Sequence, residues 1–325
     1  MVRLARRRMT AAAAVLLAAL AASGIAVATV GTVREFKLPA PAQRPQGIAK
    51  GADGAVWYTV ISPPGIGRRD SSGFSFFPLP NPAVAFTIVS GPDGALWFTE
   101  SSGRGIGRIT TSGDITEFDV PACNDCGYPH GPLGLTVGSD GALWYARPGN
   151  ETIGRVTRRG HITEFPVGST VRDVTWITTG PDGALWFTDD GGIGRRGTDG
   201  TISQIWSGLS YPSAIATGPD GNLWVTGSSQ DVVARVTPAG TGTLFPLDLN
   251  CDPQWLAPGA GALWVTCYNL DEIERVTTTG NVTRIPVPSH FPNYPDVLSA
   301  IVQGPGGAMW FTEYAANRIG RVATK

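Results

Sequence analysis

Helical periodicity is absent from this 325-residue chain, and charge and histidine are both scarce in it. Without apolar residues at three- and four-residue spacing, helix bundles and helix-covered parallel sheets are excluded. Only 16% of the residues are charged, against 42% hydrophobic residues and ten tryptophans, a balance that excludes a disordered chain. The formal net charge of −1 leaves no basic field for nucleic acid. The three histidines, His130, His161 and His290, are scattered without zinc-binding spacing.

What the chain has instead is a repeat. Seven times a Gly-rich turn precedes an apolar strand carrying tryptophan, followed by Ile-Gly-Arg or a variant of it. Trp57, Trp97, Trp144, Trp186, Trp224, Trp264 and Trp310 recur about every 40 residues, the length of four short strands. The period predicts an all-β, seven-bladed β-propeller. In the second unit, Thr87 to Ser90 runs into the turn Pro92-Asp93-Gly94, Ala95 to Glu100 returns, and Gly105 to Thr110 and Ile115 to Val120 complete the blade. The Asp-Gly pair, repeated at Asp53, Asp140, Asp182 and Asp220, is expected to supply the positive φ angles of a two-residue hairpin turn. The sixth and seventh units depart from it, with Ala260-Gly261 and Gly306-Gly307. Recurrence in every unit assigns the tryptophans to packing between blades, and Arg68, Arg108, Arg155, Arg195 and Arg321 to the scaffold.

The two chain ends predict how the ring closes. The seventh unit stops at Lys325 without the outer strand that elsewhere reads Ile-Thr-Glu-Phe, and Arg34-Glu35-Phe36-Lys37 supplies it from the front. Ahead of it, Arg3, Arg6, Arg7 and Arg8 precede an Ala-rich apolar run ending in Ala26-Val27-Ala28, the pattern of a signal peptide over residues 1–28. An uncleaved anchor is the alternative. Cleavage leaves a single propeller domain, 29–325, secreted or extracytoplasmic and more acidic than the full chain. In that setting the four cysteines are expected to pair as Cys123 with Cys126 and Cys251 with Cys267.

Function is expected where the repeats differ. The loops entering blades three and seven are the longest, and both carry histidine and tyrosine between prolines: Tyr128 and His130 in one, His290 and Tyr294 in the other. The second strands end in Val60, Glu100, Arg147, Asp189, Gly227, Cys267 and Glu313, a set expected to ring the mouth of the channel. Tyr211 and Tyr268 add aromatic surface there. At the starts of the innermost strands stand Gln46, Phe86, Leu133, Thr175, Ser213, Gln254 and Ser299.

The unit Gly-Pro-Asp-Gly-Ala-Leu-Trp-Phe-Thr-Glu, followed by Ile-Gly-Arg-Ile-Thr and Ile-Thr-Glu-Phe, resembles the virginiamycin B lyase family, also called streptogramin lyases. The resemblance covers essentially the whole mature chain. It implies a seven-bladed propeller and a Mg²⁺-dependent elimination that opens a cyclic depsipeptide at its ester. It also implies a Pro-His pair at the start of the innermost strands of blades six and seven, where this chain reads Pro253-Gln254 and Leu298-Ser299. The family's catalytic glutamate falls near Glu313 and Tyr314, and His290 is the one candidate for a substitute base. The expected function is therefore binding of a small molecule, peptide or cell-wall polymer by a monomeric propeller, with Gln46, Glu100, Arg147, Asp189 and Gln254 among the contacts. The alternatives are a divergent Mg²⁺-dependent carbon–oxygen lyase and a metal-dependent lactonase-like hydrolase. Binding alone requires no cofactor.

Overall fold

The computed structural model describes residues 31–102, 105–122, 131–168, 171–209, 211–288, 290–291 and 294–325. The segment read as a signal peptide, and Cys123, Cys126, Tyr128 and His130, lie outside them. The described residues form seven four-stranded antiparallel sheets, the seven blades expected from the repeat. Six blades use four consecutive strands. The second is typical: Ala85–Ser90 innermost, then Leu96–Glu100, Gly105–Ile109 and, outermost, Ile115–Asp119. Blade seven takes Leu298–Gln303, Met309–Glu313 and Arg318–Val322 from the C-terminal end and Val33–Lys37 from the N-terminal end. In that seam Val33 lies opposite Val322 and Lys37 opposite Arg318, so the expected ring closure holds. No helix among the described residues is long and apolar enough to cross a membrane.

In the five blades that keep the Asp-Gly pair, the repeated residues form a staple. Trp97 is fully buried, and packs against Leu135, Leu143 and Tyr145 of the next blade. Its indole N–H donates to Asp93 Oδ1 at 3.0 Å, while Asp93 Oδ2 accepts from Arg108 Nε at 2.7 Å. The Arg108 guanidinium lies 5.9 Å over the Trp97 ring. The same indole-to-carboxylate bond recurs at Asp53, Asp140, Asp182 and Asp220. One expectation is corrected here. Only the glycine of each Asp-Gly pair has positive φ, 79° at Gly94, and Gly94 N–H donates back to Gly91. The turn is therefore a type I turn followed by a left-handed glycine rather than a two-residue hairpin. Aspartate is retained for its carboxylate, which also accepts from the Ala95 N–H.

Two further positions explain the rest of the motif. The threonine of Leu-Trp-Phe-Thr bolts five of the blades to the next: Thr59 donates to Phe86 O at 2.9 Å, Thr99 to Leu133 O at 3.0 Å, Thr188 to Ser213 O at 3.1 Å, Thr266 to Ser299 O at 2.6 Å, and Thr312 to Gln46 O at 2.7 Å between blades seven and one. A Cβ on Gly107 would fall 1.9 Å from the Phe98 ring, so only glycine fits beneath that aromatic. The expected Cys251–Cys267 disulfide is present and ties the loop entering blade six to the end of that blade's second strand.

Candidate functional site

On one face of the ring the starts of the innermost strands enclose a cavity of about 330 Å³. Gln46, Phe86, Leu133, Thr175, Ser213, Gln254 and Ser299, one from each blade, all line it. Its floor is aromatic. Trp176 and Trp255 meet edge to face at 4.3 Å, with Phe86 about 6 Å from both (6.1 and 6.0 Å). Trp176 and Trp255 also border the groove on the other side, so the three rings divide the axial channel and leave a cup. Asp173, Asp189 and Asp190, all from blade four and its entering loop, form one wall; Tyr211 and Tyr268 stand at the rim, 71% and 40% exposed. Among the described residues no lysine or arginine lines the cup.

The rim is built under backbone strain. Arg44, Asp173, Tyr211, Asp252 and Val297 have φ between 48° and 58°, each two residues ahead of an axial position. For a β-branched residue such as Val297 that conformation is a true outlier, and strain of this kind concentrates where a site is pre-organised. The strained loops are held from the preceding blade: Arg44 N–H donates to Asn317 Oδ1 at 2.8 Å and Asp252 N–H to Asp231 Oδ1 at 2.9 Å.

Of the residues singled out from sequence, Gln46, Asp189, Tyr211, Gln254 and Tyr268 line this cup. Glu100, Arg147 and Glu313 do not, which corrects the expected ring of second-strand ends. Strand alternation puts these residues on the same blade face as the aromatic two positions earlier; Glu100 lies over Gly105 of the third strand, while Arg147 is opposite Thr152 and Glu313 opposite Arg318. Arg147, 1% exposed, pairs there with Glu164 at 2.9 Å. Glu100 faces Glu117; burial and then the Glu117 and Asp119 carboxylates push it up to about 7. Asp189 also looks outward, accepting from Gln204 Nε2 at 3.3 Å, and burial raises its pKa. Tyr294 is 77% exposed, Tyr314 lies under the Arg44 guanidinium, and neither lines the cup. His290 does not line it either; it meets Asp296 and Glu313 in blade seven. Sequence reasoning missed Trp176 and Trp255. Their signal was available, because they are two of the three tryptophans that fall out of phase with the repeat.

A seven-bladed propeller with a ligand-sized axial cup is the class that fold and cavity define. The chain belongs to the virginiamycin B lyase family, whose model matches residues 14–206 and 204–325. A streptogramin B lyase structure is similar at 27% identity and a TM-score of 0.81, covering 90% of this chain and 98% of that one. A catalytically inactive histidine-to-alanine variant of the virginiamycin B lyase of Staphylococcus aureus, with quinupristin, is similar at 29% identity and TM-score 0.81, over 90% and 99% of the two chains. The extracellular domain of a hybrid two-component system of B. thetaiotaomicron shares the fold at 11% identity and TM-score 0.70, over 92% of this chain and 43% of that one. No curated protein matches the chain.

The Mg²⁺ implied by the family does not fit the cup. Among the described residues, no set of three histidine, cysteine, aspartate or glutamate ligand atoms converges within it. At the two axial positions where the resemblance implies histidine, Gln254 is engaged with Asp252 at 2.8 Å and Ser299 is buried.

Proposed function

We propose that this protein is an extracytoplasmic binding propeller, residues 29–325 after removal of 1–28. In this reading it is a monomer, and its cup takes a small molecule, or the end of a peptide or polymer, carrying a cationic nitrogen beside an apolar body. The observation that carries the reading is the pairing of an aromatic floor with a single acidic wall. Phe86, Trp176 and Trp255 offer ring faces and edges to an apolar body, and the Asp173 and Asp190 carboxylates favour positive charge. The strained rim supports a pre-organised site, and the Cys251–Cys267 disulfide supports an oxidising compartment.

The family's elimination is not part of the proposal. The S. aureus relative with one histidine replaced is catalytically inactive. Here glutamine and serine stand where the resemblance implies histidine, and neither accepts a proton at neutral pH. Fluorescence titration with benzyltrimethylammonium, its neutral isostere and an anionic benzyl sulfonate tests the binding reading. Saturable quenching by the cation alone, weakened at least fivefold in Asp173→Asn or Asp190→Asn, is the expected outcome; equal responses to all three probes would refute it. Incubation with a streptogramin B and Mg²⁺, followed by mass spectrometry, should show no linearised product.

A further inference from the structure

Blade seven holds a second polar centre that no part of the cup uses. Glu35 of the outer strand, Glu313 of the second strand, and His290 and Asp296 of the entering loop each bring one ligand-type atom within 4.8 Å of the others. Glu313 and Asp296 are fully buried, and the side chains of Glu35 and His290 are 12% and 25% exposed. Both carboxylate oxygens of Glu313, and Glu35 Oε1, lack a hydrogen-bond partner among the described residues. Arg318 lies opposite Glu313 in the strand register without forming an ion pair with it. Burying a carboxylate this way costs several kcal/mol unless something positive or a proton meets it.

The imidazole is already oriented. His290 Nδ1 meets Asp296 Oδ2 at 2.6 Å and the His290 backbone N–H donates to the same carboxylate at 3.1 Å. A carboxylate on Nδ1 fixes the tautomer whose Nε2 carries the free lone pair, the arrangement that metal-binding histidines use. That Nε2 faces Glu35 Oε2 at 3.6 Å. Two ligands each about 2 Å from a zinc ion sit roughly 3.3 Å apart at the tetrahedral angle, so little movement is needed.

The geometry points to a divalent cation of the zinc class, bound by His290 Nε2 and Glu35, oriented through Asp296 and completed by Glu313, whose Oε2 lies 4.0 Å from the imidazole at Nδ1 and turns to the ion, clasping the N-terminal strand into blade seven. An imidazole ligand selects zinc-like ions over Mg²⁺ and Ca²⁺, which take all-oxygen sets. The clasp joins three distant segments of chain: the strand Val33–Lys37, the loop from blade six, and the second strand of blade seven. Its competitor is a proton shared between Glu35 and Glu313. Burial and then the Glu35 carboxylate raise Glu313 far enough for that in the absence of an ion.

Zinc retained through gel filtration, counted by atomic emission on full-length protein stripped with chelator and then reloaded with zinc, decides between them. One zinc per chain is expected, with a melting temperature raised by zinc and lowered again by chelator. His290→Ala, on a part-exposed loop, should lose at least tenfold in affinity while keeping wild-type circular dichroism, and Asp296→Asn should lose about 10- to 100-fold. Glu313→Gln should bind no zinc. Wild-type protein that retains no zinc, or His290→Ala and Glu313→Gln that retain it fully, would overturn the site. A Glu313→Gln protein that is more stable than wild type with and without zinc would assign the cluster to the shared proton.

Discussion

Blades two and seven carry the same buried acid pair in different surroundings. Each places a glutamate at the end of its second strand and another in the middle of its outer strand, Glu100 with Glu117 and Glu313 with Glu35. In blade two both come from one continuous run of chain, and the Asn81 amide donates to Glu117 from the loop before the blade. In blade seven the outer strand arrives from the other end of the chain, and a histidine and an aspartate join the pair. Blade three fills the same two positions with the Arg147–Glu164 ion pair, and blade four with Asp189 and Gln204. The repeat thus holds the backbone constant and leaves one pair of positions in each blade free to vary. An acid pair alone is a stability burden that rises with pH. An acid pair with an oriented imidazole is a ligand set.

The largest effect expected from this comparison lies in the seam. Deleting residues 33–39 removes the outer strand of blade seven, the stacking of Phe36 on Trp310 at 5.6 Å, and the Arg69 guanidinium 3.7 Å over Phe36. Calorimetry should show a fall of at least about 10 °C in melting temperature. An unchanged midpoint would mean that the ring does not depend on closure.

Next in size is a matched pair of truncations. Phe36 and Phe118 stack on their blade tryptophans at the same 5.6 Å, at 15° and 16°. Phe118→Ala should cost about 2–4 kcal/mol in urea unfolding, and Phe36→Ala more, because it also loosens the seam. Equal costs would show that closure adds nothing beyond the stacked ring.

The third prediction concerns pH. Glu100 is raised in the fold to about 7 from its ordinary 4.5, so the native state holds its proton more tightly than the unfolded chain does. The stability it contributes is complete below pH 4.5 and is lost as pH rises through 7. Glu100→Gln should therefore match wild type near pH 4.5 and exceed it by about 1–2 kcal/mol at pH 8. A variant with the wild-type pH slope would remove the acid pair as the source of that burden.

Much of this was legible in the sequence, for a physical reason. Turn, tryptophan and arginine recur in phase because each blade solves the same packing problem, so the strands, the closing seam and the Cys251–Cys267 pairing could be read off directly. The axial residues Gln46 and Gln254 were legible by aligning the repeats. What escaped was side-chain direction at the strand ends. Glu100 and Glu313 end strands of the same repeated motif, and only their partners, Gly105 beneath Glu100 and Glu35 of the outer strand beside Glu313, show which way they turn. The grouping of Glu35, His290 and Glu313 escaped as well, because spacing along the chain carries no trace of a cluster formed by joining its two ends.

The smallest effect tests why blade seven lacks the aspartate staple. Trp310 Nε1 has no partner among the described residues, whereas Trp97 donates to Asp93. The aligned position, Gly306, has φ 71° and ψ 12°, the third residue of a type II turn after Pro305. Gly306→Asp would gain the indole bond and a part-exposed pairing with Arg321, worth together about 1–2 kcal/mol. It would also place a side chain in a left-handed conformation at a cost of about 1 kcal/mol, unless the turn flips to type I as in blade two. The net gain should therefore stay below about 1 kcal/mol by urea unfolding, and adding Ala308→Gly should not enlarge it. A larger gain would show that the turn has flipped, and that the staple dictates turn type in every blade that keeps its aspartate.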